Sequence, residues 1–233
     1  MKLSKQAQEE TYVVIPALNE ETRIPNVIRE LEALGFNNIV VVNDGSTDAT
    51  SNINDQFPGV MVLDHIVNLG PGASTMTGIE YCVSKGASYI ATIDADHQNQ
   101  PADLLTLLDK LIVRDVDLVI GSRFLQQNEI PFQRLMYNWV GNVVSYIKTG
   151  LAVSDSQSGI KIMTRSFAKK LTIDHNGFEF CIDIIKKAKL NSADVEEAPV
   201  AVVYTKETLA KGQNFANGVM MMGKLFNPFS QKA

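Results

Sequence analysis

The sequence predicts an α/β protein with a mostly parallel central sheet between layers of helices. Two observations carry this. Short, β-rich apolar runs alternate with segments whose apolar residues recur at helical spacing, the signature of strand–helix–strand units with right-handed crossovers. Four of the first five such runs also end in marked polar signatures: PALNE, NDGSTD, DADHQ and GSR. Parallel strands present their carboxyl ends at one edge, so these signatures converge on a single crevice, where open α/β sheets bind ligands.

The elements follow in order. Thr11 to Ile15 is the first strand. Thr22 is the expected N-cap of a helix carrying Ile24, Val27, Ile28, Leu31 and Leu34, and Gly35 stops it. Ile39 to Val42 is the second strand, followed by a short helix to about Phe57 and a Pro58-Gly59 turn. Val60 to Leu63 is the third strand, ending in Asp64-His65. Pro71-Gly72 opens a helix that runs to Lys85-Gly86. Tyr89 to Ile93 is the fourth strand, and Pro101 and Asp103 open the helix after it. Asp117 to Ile120 is the fifth.

Beyond Arg123 the pattern is less regular. Residues 124–131 read as a loop, and 132–149 carry Leu135, Trp139, Val143 and Ile147 at loosely helical spacing. DSQSGIKIM (155–163) ends as a strand, Phe178 to Leu190 reads as an amphipathic helix, and Val195 to Tyr204 as a last strand with Pro199 marking an edge. Phe215 to Phe226 is predicted helical, with three methionines in its middle.

Composition narrows the function. The 233 residues are 45% hydrophobic and 20% charged, ordinary for a soluble globular chain. A net charge of −5 argues against nucleic acid as a partner, so an anionic ligand needs local positive groups or a metal. Cys82 and Cys181 stand apart, as expected of reduced core residues in a cytoplasmic protein. The N-terminus is too polar for a signal peptide, and no apolar run approaches the roughly 20 residues of a membrane span.

DADHQNQP (94–101) is the centre of the chemistry. Residues i and i+2 of an extended segment point the same way, so Asp94 and Asp96 can face one point. Two hard oxygen ligands with Gln98 nearby suit Mg²⁺ or Mn²⁺, whose shells phosphate oxygens commonly complete. The bland alternative is that loops after strands are simply rich in Asp. NDGSTD has two readings as well: Asp44 accepts hydrogen bonds from a base or ribose across the turn at Gly45, or Ser46 and Thr47 merely cap a helix. Asn19 and Glu20 carry the same alternatives. No GxGxxG, Walker A or GxSxG motif is present. His65 and His175 read as structural, and His97 as a possible lining residue rather than a ligand.

VVIPALNEE (13–21), VVNDGSTDAT (41–50), DADHQNQP, GSR (121–123) and DSQSGIK (155–161) occur in this order. Together they resemble the family 2 glycosyltransferases of GT-A fold, a Rossmann-like α/β/α sandwich, and most of all the dolichyl-phosphate mannosyltransferase-like and polyprenyl-phosphate glycosyltransferase branch. The resemblance covers about residues 11 to 205. It implies that Pro16, Asn19, Glu20, Asp44, Gly45 and Ser46 hold the nucleotide of a sugar nucleotide. Asp94 and Ala95 would lie on the nucleoside or sugar side. Asp96 and Gln98, with Asp94 adjoining, would hold the divalent metal. Arg123 and Arg134 would bind an acceptor phosphate, with Tyr204 and Lys211 as later aromatic and basic elements.

The expectation is thus one domain over 1–233, with 1–123 as the nucleotide-sugar half and 124–233 as the acceptor half and C-terminal helical segment. Its activity would be metal-dependent inverting transfer from a UDP- or GDP-sugar to a polyprenyl phosphate, in the cytoplasm or on the cytoplasmic face of a membrane, through lipid contact or a membrane partner. Asp96, Arg123 and Asp155 are the catalytic candidates. Asp155 would be the base if the acceptor were a sugar hydroxyl. Other rivals are a silent nucleotide-sugar-binding module and a nucleotidyltransferase; the intact Asp94-Ala95-Asp96 argues against the first, and PALNEE in place of a glycine- and lysine-containing loop against the second. The oligomeric state is open.

Overall fold

The computed structural model describes residues 5–203. Its strands are β1 (Thr11–Ala17), β2 (Asn38–Asn43), β3 (Met61–Asp64), β4 (Tyr89–Thr92), β5 (Leu118–Ser122), β6 (Lys161–Thr164) and β7 (Val195–Pro199). Its α-helices are α1 (Lys5–Glu9), α2 (Ile24–Ala33), α3 (Ile53–Gln56), α4 (Pro71–Ser84), α5 (Asp103–Arg114), α6 (Phe132–Thr149), α7 (Arg165–Ala168) and α8 (Phe180–Leu190). The strands form one sheet in the order β3-β2-β1-β4-β6-β5-β7. All neighbours are parallel except β6, which runs antiparallel to both β4 and β5.

The alternation of side chains along the strands divides the core between the two faces. On one face Val13, Ile15 and Val41 pack with Ile28 and Leu31 of α2 and Leu104 and Leu108 of α5. On the other, Val14, Val40 and Val42 pack with Ile79 and Cys82 of α4 and Cys181, Ile184 and Ile185 of α8. Both cysteines are buried in this second layer, as expected.

Thr22 does not cap α2: the helix begins at Ile24 with Arg23 as its cap residue and no side-chain cap bond. Pro25 sits in the first turn, where its missing N–H costs nothing. β6 lies between β4 and β5, with Lys161 opposite Thr92. A 3₁₀ turn, Ala49–Asn52, precedes α3 and is capped by Asp48, whose carboxylate accepts from Thr50 N at 3.0 Å. The two short helices α1 and α7 carry no sequence pattern long enough to announce them. The expected 215–226 helix, Tyr204 and Lys211 lie outside the described residues. Among the described residues no helix is long and apolar enough to cross a membrane.

Candidate active site

The carboxyl ends of β1, β2 and β4 share one edge of the sheet. β5 points the same way as β4, since both oppose β6, so Ser122 and Arg123 end there too. The edge opens between β1 and β4. Their ladder stops at Val14–Thr92, closed by the bond from Ile93 N to Val14 O. Two residues on, the position whose N–H would point toward β4 is Pro16, which has none. The strands part there, and Asp94 follows directly at the opening.

Asp94 lies partly accessible at the foot of this crevice. Burial, and then the charges of Asp96 and Glu20, push its carboxyl up to about 6, while Lys161 and Arg123 pull it the other way. The carboxylate rests against the Cα of Gly159: a Cβ there would lie 1.8 Å from Asp94 Oδ2. Glycine in the DSQSG turn is thus required by contact, and Thr92 Oγ1 holds that turn by donating to Gly159 O at 3.1 Å. Ala95 is buried in the core beneath.

Asp96 is partly accessible, and Gln98 orients it: backbone N donates to Asp96 Oδ1 at 3.0 Å and Nε2 donates to Oδ2. Gln98 is therefore engaged as a support of Asp96. His97, at φ 59°, turns away to Glu30 at 3.0 Å. Among the described residues no group of three or more His, Cys, Asp or Glu side chains is arranged to enclose a cation. Yet the crowded carboxylates fit one: two hard oxygen donors carry mutual repulsion that a divalent ion relieves, with phosphate oxygens or water completing the shell.

The β1 and β2 loops are stitched together. Ser46 Oγ accepts from Asn19 N at 3.0 Å, Asn19 Oδ1 accepts from Thr47 N at 2.9 Å, and Asn43 Oδ1 accepts from Ser46 N at 3.0 Å. Asn19 adopts φ 55°, a backbone that Asn tolerates better than most residues. Glu20 pairs with Arg23 at 2.8 Å. Asp44 differs from the expectation of an open base-binding carboxylate. It is buried, and its oxygens face His65 Nδ1 at 2.8 Å, Leu69 N at 3.0 Å and Gly70 N at 2.8 Å. His65 Nε2 in turn meets Thr77 Oγ1 at 3.0 Å. Burial raises the Asp44 carboxyl, but the bonds from His65, Leu69 and Gly70 outweigh it and the net shift is downward. At Gly45, φ 71°, a Cβ would meet Asn68 N at 2.7 Å, so the residue-65–70 loop can lie against it only because it is glycine.

On the far side Arg123 makes a two-pronged ion pair with Asp155, Nε to Oδ2 at 2.6 Å and Nη2 to Oδ1 at 2.7 Å, and its backbone N donates to Oδ2 at 3.1 Å. Asp155 is 0% exposed. This geometry is a correction to Asp155 as an open general base: the carboxylate faces the guanidinium, sealed from solvent. Glu197 of β7 fixes the loop that carries it, accepting from Ser154 N at 2.8 Å, Ser154 Oγ at 2.8 Å and Asp155 N at 3.2 Å. Arg134 stands half-buried in the first turn of α6. Lys161 is buried at the start of β6, donating to Ser158 O, with Cys181 Sγ at 3.7 Å.

Glu197 and Lys161 are the residues sequence reasoning missed. A lysine inside the apolar run Gly159 to Met163 is a signal in itself, because a buried cation needs an anionic surround. Glu197 offers none, being one of two adjacent glutamates on an edge strand.

The sequence profile described as Glycosyl transferase family 2 matches residues 12–177. An uncharacterised protein of Methanocaldococcus jannaschii is 34% identical over 94% of this chain and 91% of its own. A UDP-N-acetylglucosamine–dolichyl-phosphate N-acetylglucosaminyltransferase of Methanococcus voltae is 30% identical over 92% and 94%. Among solved structures, glucosyl-3-phosphoglycerate synthase of Mycobacterium tuberculosis in complex with phosphoglyceric acid superposes with a TM-score of 0.69 at 16% identity, covering 95% of this chain and 77% of that one. The same enzyme with Mn²⁺, uridine diphosphate and phosphoglyceric acid gives 0.65 at 19% identity over 97% and 82%. The family match and the fold likeness together show what the chain is: the fold is GT-A, and the chain belongs to the family 2 glycosyltransferases.

Proposed function

We propose that this glycosyltransferase moves a sugar, with inversion, from a UDP- or GDP-sugar to a polyprenyl phosphate, working in the cytoplasm at a membrane face. One observation carries the choice of acceptor: Asp155, the best base candidate, is sealed against Arg123. A hydroxyl acceptor needs a base to take its proton, whereas a phosphate is already ionised. The names of relatives point the same way, including the dolichyl-phosphate enzyme above and a polyprenol monophosphomannose synthase of Mycolicibacterium smegmatis, 29% identical over 82% of this chain and 77% of its own.

The β1 and β2 loops hold the nucleotide, with Pro16, Asn19, Glu20 and Ser46 at the crevice rim. Asp94 and Asp96 hold Mg²⁺ or Mn²⁺, with Gln98 steadying Asp96; when bound, the cation supplies Lewis-acid stabilisation of the departing diphosphate. Arg134, whose planar guanidinium fork matches a phosphate, and Arg123, set by Asp155 and Glu197, orient the acceptor phosphate. A phosphate oxygen forms the new bond to the anomeric carbon as the bond to the diphosphate oxygen breaks. The electron pair leaves with the nucleoside diphosphate, and no proton is moved.

The test is a transfer assay with donors first chosen by thermal shift among UDP- and GDP-sugars with Mn²⁺. A short polyprenyl phosphate is compared with the matching alcohol and with free sugars. The phosphate should be glycosylated. Transfer to the alcohol or a sugar, with none to the phosphate, overturns the reading and makes Asp155 the residue to mutate.

A further inference from the structure

Lys161 is the only cation among the buried described residues, at 1% exposed, and the transfer reaction proposed for this site makes no use of it. An ammonium taken out of water needs an anionic complement. Its neutral contacts are modest. It donates to Ser158 O, the weak acceptor Cys181 Sγ lies at 3.7 Å, and the centre of the Phe180 ring lies at 5.9 Å. The complement is Asp94: of the positive groups acting on that carboxyl, Lys161 comes first and Arg123 second. Burial pushes the Cys181 thiol up, and the charges of Lys161, Asp94 and Asp155 all reach it, so the three share one buried region.

The sheet register explains the meeting. Lys161 stands opposite Thr92 in the antiparallel β4–β6 ladder. Carried two residues further, that register sets Gly159 opposite Asp94, and there the Asp94 carboxylate rests on the Gly159 Cα with no room for a Cβ. The 155–159 turn is held to the sheet from two strands. Thr92 Oγ1 of β4 donates to Gly159 O at 3.1 Å, and Lys161 Nζ of β6 donates to Ser158 O. We infer that Lys161 is a positioning residue for the metal pair: by holding Ser158 O it sets Gly159, and through Gly159 the place at which Asp94 meets the cation. The inference rests on the reading that Asp94 and Asp96 hold Mg²⁺ or Mn²⁺. A fixed positive charge beside a metal site opposes metal binding by Coulomb repulsion. The charge of Lys161 alone therefore works against the site, and its contribution is the geometry it enforces.

The sign of the effect separates placement from charge. Mn²⁺ binding to the full-length chain is followed by loss of the free-ion electron paramagnetic resonance signal, with uridine or guanosine diphosphate present, whichever the chain binds. Lys161→Met keeps the reach of the side chain and removes the ammonium. It should weaken Mn²⁺ binding by roughly tenfold or more, the effect of a hydrogen bond from a charged group, although it deletes a positive charge from beside the cation. The Mn²⁺ concentration for half-maximal transfer should rise by a similar factor. Thr92→Val loosens the same turn from β4 without changing any charge, and should weaken binding by roughly three- to tenfold, the effect of one neutral hydrogen bond. Both are assayed well below their melting temperatures, so a merely less stable fold does not move the reading. Binding unchanged or tighter in Lys161→Met overturns the inference and leaves the metal reading intact; where that variant does not fold, the same result in Thr92→Val does so. An unmodified chain that binds no Mn²⁺ overturns both.

Discussion

On the β1–β2 side of the crevice, many separate bonds from neutral side chains, backbone amides and the carboxylates of Glu21 and Asp48 tie neighbouring turns together, and the buried carboxylate of Asp44 is met by an imidazole and two N–H groups. On the β5–β7 side, the arrangement rests on a charge relay from Glu197 through the Asp155 loop to Arg123. The first side is rigid because many weak bonds each fix a little. The second is rigid because one guanidinium and one sealed carboxylate fix each other, and such a pair is costly to break from either end.

That contrast sets the largest expected effect. Asp155→Ala takes the two-pronged carboxylate partner from Arg123, whose side chain is only 15% exposed, and should cost about 3–5 kcal/mol of unfolding free energy in urea. Ser46→Ala on the opposite side removes one neutral hydrogen bond and should cost only about 0.5–1.5 kcal/mol. Equal losses would erase the distinction. The double variant Arg123→Ala with Asp155→Ala should lose less than the sum of the singles, because both deletions remove the same ion pair.

The next effect is on activity rather than stability. Asp96→Asn keeps the shape of a partly exposed loop residue but removes the charge proposed to hold the metal, and should lower turnover on the order of 10²–10³-fold, the range for losing one electrostatic stabiliser. Its melting temperature should stay near that of the unmodified chain. EDTA should silence the unmodified enzyme and restored Mn²⁺ should revive it. Full turnover in EDTA would remove the metal from the site.

The same division explains what the sequence revealed. Asp94, Asp96, Asn19 and Asp44 follow their strands directly, so a strand pattern and a parallel sheet suffice to bring them to one edge. Arg123 meets Asp155 across 32 residues and Asp155 meets Glu197 across 42, and no local pattern records such pairings. The insertion of antiparallel β6 between β4 and β5 was hidden for the same reason, since a four-residue strand reads alike in both directions. In α6, Leu135, Trp139, Val143 and Ile147 gave the period of the helix correctly. Period alone does not say which face turns inward, and here it is the polar one.

Asp44 is the point where the two sides can be confused, and its expected effect on stability lies between those of Asp155 and Ser46. As a base-binding residue it would act on the donor alone; as the buried anchor of the 65–70 loop it acts on the fold. Asp44→Asn keeps the volume but loses the charge that accepts from His65, Leu69 and Gly70. The expected loss at neutral pH is about 1.5–3 kcal/mol, the range for hydrogen bonds to a charged group. The sign of its pH dependence follows from the lowered carboxyl. A carboxylate held below its unfolded value, about 3.9, contributes stability that is complete above that value and is lost as the pH falls through the folded one. The gap between the two proteins in urea should therefore stay constant from neutral pH to about pH 5 and close below it. A gap that persists unchanged through that acid range would trace the loss to packing rather than charge. If stability is instead unaltered at every pH while calorimetry shows nucleoside diphosphate binding weakened, Asp44 reaches the base after all, and its side of the crevice must rearrange when the donor enters.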